Sequence, residues 1–207
     1  YAGGKVTTID LANYVNKAAG STSSTDGILE GATVTVEFEA TVNKDATIAS
    51  VGNPNSVELE YSHTPDNKFT RIPGPEVRVY TYKFGILKTD MAGKKELSGA
   101  KFAIARVNGN TETFMTQDTE TKVWKNLTTD KPNADAAGGV FTTDGNGKIA
   151  MSGLPAGTYH VYEIKAPTGY TNIGLPDFTF TIGATFSGTP ETATVSGVPE
   201  KVAPIVK

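Results

Sequence analysis

The feature that most constrains this chain is an alternation of apolar and polar residues with period two, returning at short intervals. In TVTVEFEATV (33–42), Val34, Val36, Phe38, Ala40 and Val42 share one side, with Glu37 and Glu39 on the other. Only a β-strand places successive side chains on opposite faces in this way. NSVELEY (55–61) repeats the pattern with Val57, Leu59 and Tyr61, and further strands are expected at 76–88, 101–107, 140–143, 148–151, 158–164, 177–182 and 192–198. DGNGK (144–148) reads as a tight hairpin turn; it lacks the spaced acids and closing Glu of a calcium loop. Helical signal is confined to DLANYVNKAAG (10–20), while 21–31 and 128–139 have loop composition. Three prolines in SHTPDNKFTRIPGPE (62–76) end one strand series before VRVYTYKFGILK begins another. The domain boundary is expected near 80–84, with a continuous strand as a stiff connector. The chain is therefore expected to be all-β: two β-sandwiches in tandem, 1–82 and 83–207, the second carrying a loop insertion near 108–139.

Composition narrows the function classes. Nineteen basic against 22 acidic residues, a net charge of −3, give no basic face for nucleic acid. There is no Cys, which removes disulfides, thiolate metal sites and thiol nucleophiles, and His63 and His160 are the only histidines. No metal, cofactor or small-molecule substrate is expected. No apolar run approaches the roughly 20 residues of a membrane helix, and YAGGKVTT does not read as a signal peptide. The 38% hydrophobic content sits in alternating runs, which excludes a disordered chain.

Parity singles out two charged residues. In KFGILKTD, Lys88 shares a strand face with Phe84 and Ile86; in TYHVYEI, Glu163 shares one with Tyr159 and Val161. Both should point into the core, where a lone charge costs several kcal/mol, roughly, and usually neutralises. One reading is a buried Lys–Glu ion pair, or side chains that snorkel out at a strand end. The other is chemical. Burial lowers a lysine pKa and raises a glutamate pKa, leaving a nucleophilic amine beside a carboxylic acid that can polarise an amide. An Asn carboxamide placed next to them would be attacked, ammonia would leave, and a Lys–Asn isopeptide bond would remain. Parity also turns Asn55 inward, beside Val57, Leu59 and Tyr61, although a turn role next to Pro54 is equally open; Asn53 is the fallback.

At these residues the sequence resembles a known family. FGILKTD…LSGAKF (84–102) looks like the opening of a CnaB-type immunoglobulin-like domain, and TTDGNGKIAMSGLPAGTYHVYEIKAPTGY (142–170) resembles that family's central hairpin and E box. The resemblance implies that Lys88 is the bond-forming amine nucleophile and Glu163 the catalytic acid, framed by Ala166, Pro167, Gly169 and Tyr170. GATVTVEFEATVNKDA and GNPNSVELEYS, within 31–62, are similar to the end of the preceding domain, of CnaA type, in major pilins of Gram-positive bacteria. Two tandem immunoglobulin-like sandwiches are thus implied, within a sortase-assembled backbone pilin. The implied function is structural. The chain would be a shaft subunit of a covalently polymerised, cell-wall-anchored extracellular pilus, hardened by internal isopeptide bonds, and no enzyme beyond that single turnover. Its partners would be other pilin subunits, joined through sortase, with host-surface ligands as a further class. The alternative is a stalk or adhesive module of a minor pilin or adhesin, for which the insertion around Trp124 offers the place.

The sequence departs from the family pattern at several points. Residues 173–207 contain no Asn, so either the acceptor of the second domain lies beyond Lys207 or this domain makes no such bond; Asn172 lies too near the E box. In the first domain the lysine is open between Lys5, Lys17 and one on a strand preceding residue 1, and the acid between Asp10 and Asp26, since Glu37 and Glu39 face outward. LPAGT (154–158) and LPDFT (175–179) do not match a sorting signal, and no pilin-motif lysine is recognisable.

Overall fold

The computed structural model describes residues 6–11, 33–48, 52–62, 69–185 and 192–197. The chain separates into two compact units, 1–41 and 42–207. Most of the expected helix at 10–20, and all of the loop at 21–31, lie outside the described residues, as do Lys5, Lys17 and Asp26.

In the first unit, residues 6–11 and 33–41 hold no helix or strand. The strand expected over 33–42 is not formed, and Val34, Val36 and Phe38 are exposed. Alternation prepares a face, but a strand exists only where a neighbour satisfies its backbone donors and acceptors.

The second unit opens with an antiparallel ribbon of β1 (Asn53–Ser62) and β2 (Phe69–Val79), in register from Asn53↔Val79 to Ser62↔Phe69 with a shift between Ser56 and Glu58. The proline-rich stretch expected to break the chain thus lies largely within a strand. Both strands of a two-stranded ribbon are edges, where the missing N–H of Pro73 and Pro75 is tolerated. Asn53 staples the ribbon: its Nδ2 donates to the carbonyls of Thr47 (2.9 Å) and Val79 (3.1 Å), and its Oδ1 accepts from the Thr47 N–H (2.7 Å). The expected stiff connector is interrupted at Tyr80–Thr81, where the Tyr80 ring packs so close to Gly52 that a β-carbon there would stand 2.7 Å from it.

Residues 82–196 form a sandwich. β3 (Tyr82–Leu87) pairs with β8 (Lys148–Leu154) in a two-stranded sheet. The larger sheet contains β4 (Lys101–Asn108), β5 (Thr111–Gln117), β6 (Trp124–Asn126), β7 (Phe141–Thr142), β9 (Gly157–Lys165), β10 (Asp177–Thr185) and β11 (Thr192–Ser196). Its order is β11-β10-β9-β4-β5-β6, with β7 also paired to β4. The region expected as a loop insertion thus contributes β5 and β6. The core takes Tyr82, Phe84 and Ile86 from β3 and Ile149, Met151 and Leu154 from β8. These meet Phe102, Ile104, Met115, Tyr159, Val161, Phe180 and Ile182 of the larger sheet. Phe84 and Phe180 stack at 3.8 Å between ring centroids, which ties the two sheets together.

Candidate functional site: a buried amine and acid

The alternation that buries Phe84 and Ile86 runs on one step past β3 and buries Lys88, which is completely inaccessible. Its backbone is held on both sides: the Lys88 N–H donates to the Gly147 carbonyl (2.8 Å), and the Lys88 carbonyl accepts from the Leu97 N–H (2.9 Å). Glu163 follows Tyr159 and Val161 along β9 into the same interior, opposite Phe102 of β4. Its own N–H donates to the Pro176 carbonyl (2.9 Å), and the segment after it is closed by the Asn172 side chain, whose Oδ1 accepts from the Ala166 N–H (2.9 Å).

The two side chains meet across the sandwich. Lys88 Nζ is hydrogen-bonded to Glu163 Oε2, both side chains are wholly removed from solvent, and the Phe102 ring centre lies 6.0 Å from Nζ. Burial pushes the Lys88 amine below the usual lysine range, against the opposing pull of Glu163. Burial likewise pushes the Glu163 carboxyl above the usual carboxylate range, against the pull of Lys88. Desolvation works toward the uncharged form of each, the direction a nucleophilic amine beside a proton-donating acid requires. Among the described residues, Glu163 Oε1 has no hydrogen-bond partner. A buried oxygen in that state costs about 1–3 kcal/mol, so it marks a place where a donor belongs.

The first-domain candidates are not gathered in this way. Asn55 is exposed on β1 rather than inward. Its face of the ribbon, with Val57, Leu59, Ile72, Val77 and Val79, stands open among the described residues, so parity set the side but nothing buries it. Asn53 is engaged as the ribbon's staple. Asp10, Glu37 and Glu39 are exposed. Trp124 is half-buried at the sheet edge, 5.6 Å from Phe141, with its indole N–H donating to the Ser152 carbonyl (2.7 Å); it is a packing residue rather than a presented ring.

A second polar cluster was not anticipated. On the outer face of the larger sheet, Glu112 accepts from the Tyr162 hydroxyl (2.7 Å) and lies 2.7 Å from His160 Nδ1, while Lys131 stands over the Tyr162 ring at 4.8 Å. Burial works to raise the Glu112 carboxyl, but the bonds from Tyr162 and His160 outweigh it and hold the group low. Alternation places His160 and Tyr162 outward; the missing signal was that Lys131 folds back over them.

Residues 82–195 match the family described as SpaA, prealbumin-like fold domain. The chain belongs to the SpaA family. The matched region begins at the first residue of β3 and contains both Lys88 and Glu163. The SpaA chain is 29% identical over 179 residues to the trypsin-resistant surface T6 protein of Streptococcus pyogenes serotype M6, covering 80% of this chain and 28% of that protein. Among solved structures it resembles a C-terminal fragment of the major pilin GBS80 of Streptococcus agalactiae: TM-score 0.47, 23% identity, 65% of this chain and 47% of that one. It likewise resembles the T6 backbone pilin: TM-score 0.47, 18% identity, 80% of this chain and 45% of that one. The chain thus spans less than half the length of these relatives.

Proposed function

We propose that this chain is part of the structural shaft subunit of a covalently polymerised pilus on a Gram-positive cell surface, and that its SpaA domain welds itself through Lys88. On this reading residues 1–82 are a partial pilin middle domain and 83–207 the CnaB-type domain. The observation that carries it is the dry Lys88–Glu163 pair with one carboxyl oxygen left over. An acceptor Asn carboxamide would seat against Glu163 Oε1, and the Lys88 nitrogen would attack its carbon. A C–N bond forms to Lys88 and the bond to the amide nitrogen breaks. Glu163 passes the proton lost by Lys88 to the departing group, which leaves as ammonia, and returns to its starting state. The reaction runs once per molecule and turns over no outside substrate.

Family membership and the likeness to a streptococcal surface protein support the pilus setting, with other subunits as partners, joined through sortase and anchored at the cell wall. A covalent tie across the sandwich would also restrict the unfolded chain, as a long-loop disulfide does at roughly 2–5 kcal/mol, in a protein without cysteine. The test is the intact mass of the full-length folded protein, which should fall by about 17 Da for each bond as ammonia is lost. Glu163→Ala should fold and keep its full mass. A wild-type protein at full calculated mass removes the mechanism, and a linked Glu163→Ala removes Glu163 as the acid.

A further inference from the structure

We propose that Gly147, at the close of the 144–148 turn, is a positioning residue that sets where the Lys88 amine stands; this rests on the cross-linking reading above. The sequence marks DGNGK only as a turn, yet the turn is built onto the lysine. The Gly147 carbonyl accepts the Lys88 N–H at 2.8 Å. At the same time its α-carbon lies against the next peptide group of the same strand. A β-carbon on Gly147 would stand 2.6 Å from the Lys88 carbonyl oxygen, 2.9 Å from the Leu97 nitrogen and 3.2 Å from the Glu96 β-carbon. That carbonyl is itself bonded to the Leu97 N–H. The Lys88 α-carbon therefore sits between two gripped peptide groups, both touching Gly147. Glu163 is fixed separately, on the opposite sheet, through Pro176.

Gly147 holds this place in a left-handed conformation, φ 68°. The turn maintains it: the Gly147 N–H donates to the Asp144 carbonyl (3.0 Å), and Asp144 Oδ1 accepts from the N–H groups of Asn146 (2.9 Å) and Lys148 (2.8 Å). Any side chain at 147 must push the Lys88 carbonyl away, and the displacement passes to an amine that has to meet both Glu163 and an acceptor carbon.

The experiment follows the rate of ammonia loss by intact mass in freshly expressed full-length protein. Gly147→Ala should slow linking by about 10–100-fold, the loss expected when a reacting group is misplaced by about 1 Å. Gly109→Ala is the matched control: it has the same backbone sign, φ 60°, but its β-carbon meets nothing within 4 Å. It should link within about two-fold of wild type, because it carries the left-handed strain without the push. Linking of Gly147→Ala at the Gly109→Ala rate overturns the proposal. Should Gly147→Ala fail to fold, Asp144→Ala decides: it adds no atom near Lys88 and only loosens the turn. It should slow linking relative to Gly109→Ala at equal thermal stability, and an unchanged rate overturns the proposal. Carbon NMR titration of the Lys88 amine, read on molecules that retain full mass, gives a second readout. Gly147→Ala should move that titration and Gly109→Ala should not; identical titrations overturn the proposal even in a protein that never links. Full wild-type mass with a moved titration would sink the cross-linking reading alone.

Discussion

Removing either member of the Lys88–Glu163 pair should give the protein a pH-dependent stability, with opposite signs for the two removals. In Lys88→Met, Glu163 loses the partner that opposed its desolvation, and its already raised pKa rises further. Above about pH 4.5 the unfolded chain releases that proton while the folded chain keeps it, so the native state binds one proton more. Stability then falls by about 1.4 kcal/mol per pH unit until the folded pKa is reached. In Glu163→Gln, Lys88 is left with burial alone, which lowers it. Between its folded pKa and about pH 10.5 the unfolded chain holds a proton the folded chain lacks, so stability rises with pH at a similar rate, about 1.4 kcal/mol per unit. The double variant Lys88→Met/Glu163→Leu carries neither group, and its slope from this site is zero. At pH 7 it should be more stable than both single variants, since two apolar side chains fill the space without a stranded polar atom. Guanidinium unfolding at pH 6, 7 and 8 measures all three. Flat single variants, or two slopes of the same sign, would refute the claim that burial drives each group toward its uncharged form.

Other outcomes follow from single contacts. Lys122 is the one described non-glycine residue with positive φ, 58°; Lys122→Gly should relieve strain and raise stability by about 0.5–1 kcal/mol, read as a higher thermal midpoint. Phe180→Ala removes the ring stacked on Phe84 and packed against Tyr159 (5.3 Å), and should cost about 3–5 kcal/mol in chemical denaturation. Asn53→Ala should speed amide exchange at Thr47, whose N–H loses its acceptor, without altering exchange in β4 or β9. Burial pushes the Tyr159 hydroxyl up to about 12, so its ultraviolet titration should come well after that of an exposed tyrosine.

The sandwich was legible in the sequence where burial and hydrogen-bonded neighbours coincide. β4, β9 and β10 stand within three residues of their expected bounds, because their alternation is answered by a facing layer. The same pattern failed at 33–42, where no strand pairing satisfies the backbone among the described residues. It failed more subtly at Asn55, where the strand formed but its apolar face remained uncovered. β5 and β6 were hidden by polar, threonine-rich sequence; TETFMTQ carries only Phe114 and Met115 as apolar residues, and these are adjacent rather than alternating. Phe114 belongs to a small outer cluster with Ala103 and Ala105, while Met115 joins the main core. A strand buried on both faces has no single-face signal to read.

Lys88 and Glu163 were legible for the opposite reason: each violates the local pattern. A strand that spends a core position on an ionisable residue loses burial energy there unless another group answers it, and among the described residues each of these two side chains is hydrogen-bonded to the other alone. Mutual satisfaction would have been complete with two hydrogen-bonding contacts, yet the glutamate oxygen Oε1 is unpaired among the described residues. A pair kept for stability alone gains nothing from an unpaired oxygen, and an apolar pair of similar volume would serve as well. On the cross-linking reading proposed above, the amine, the acid and that oxygen are arranged about a third group, an amide, on which the two could act together.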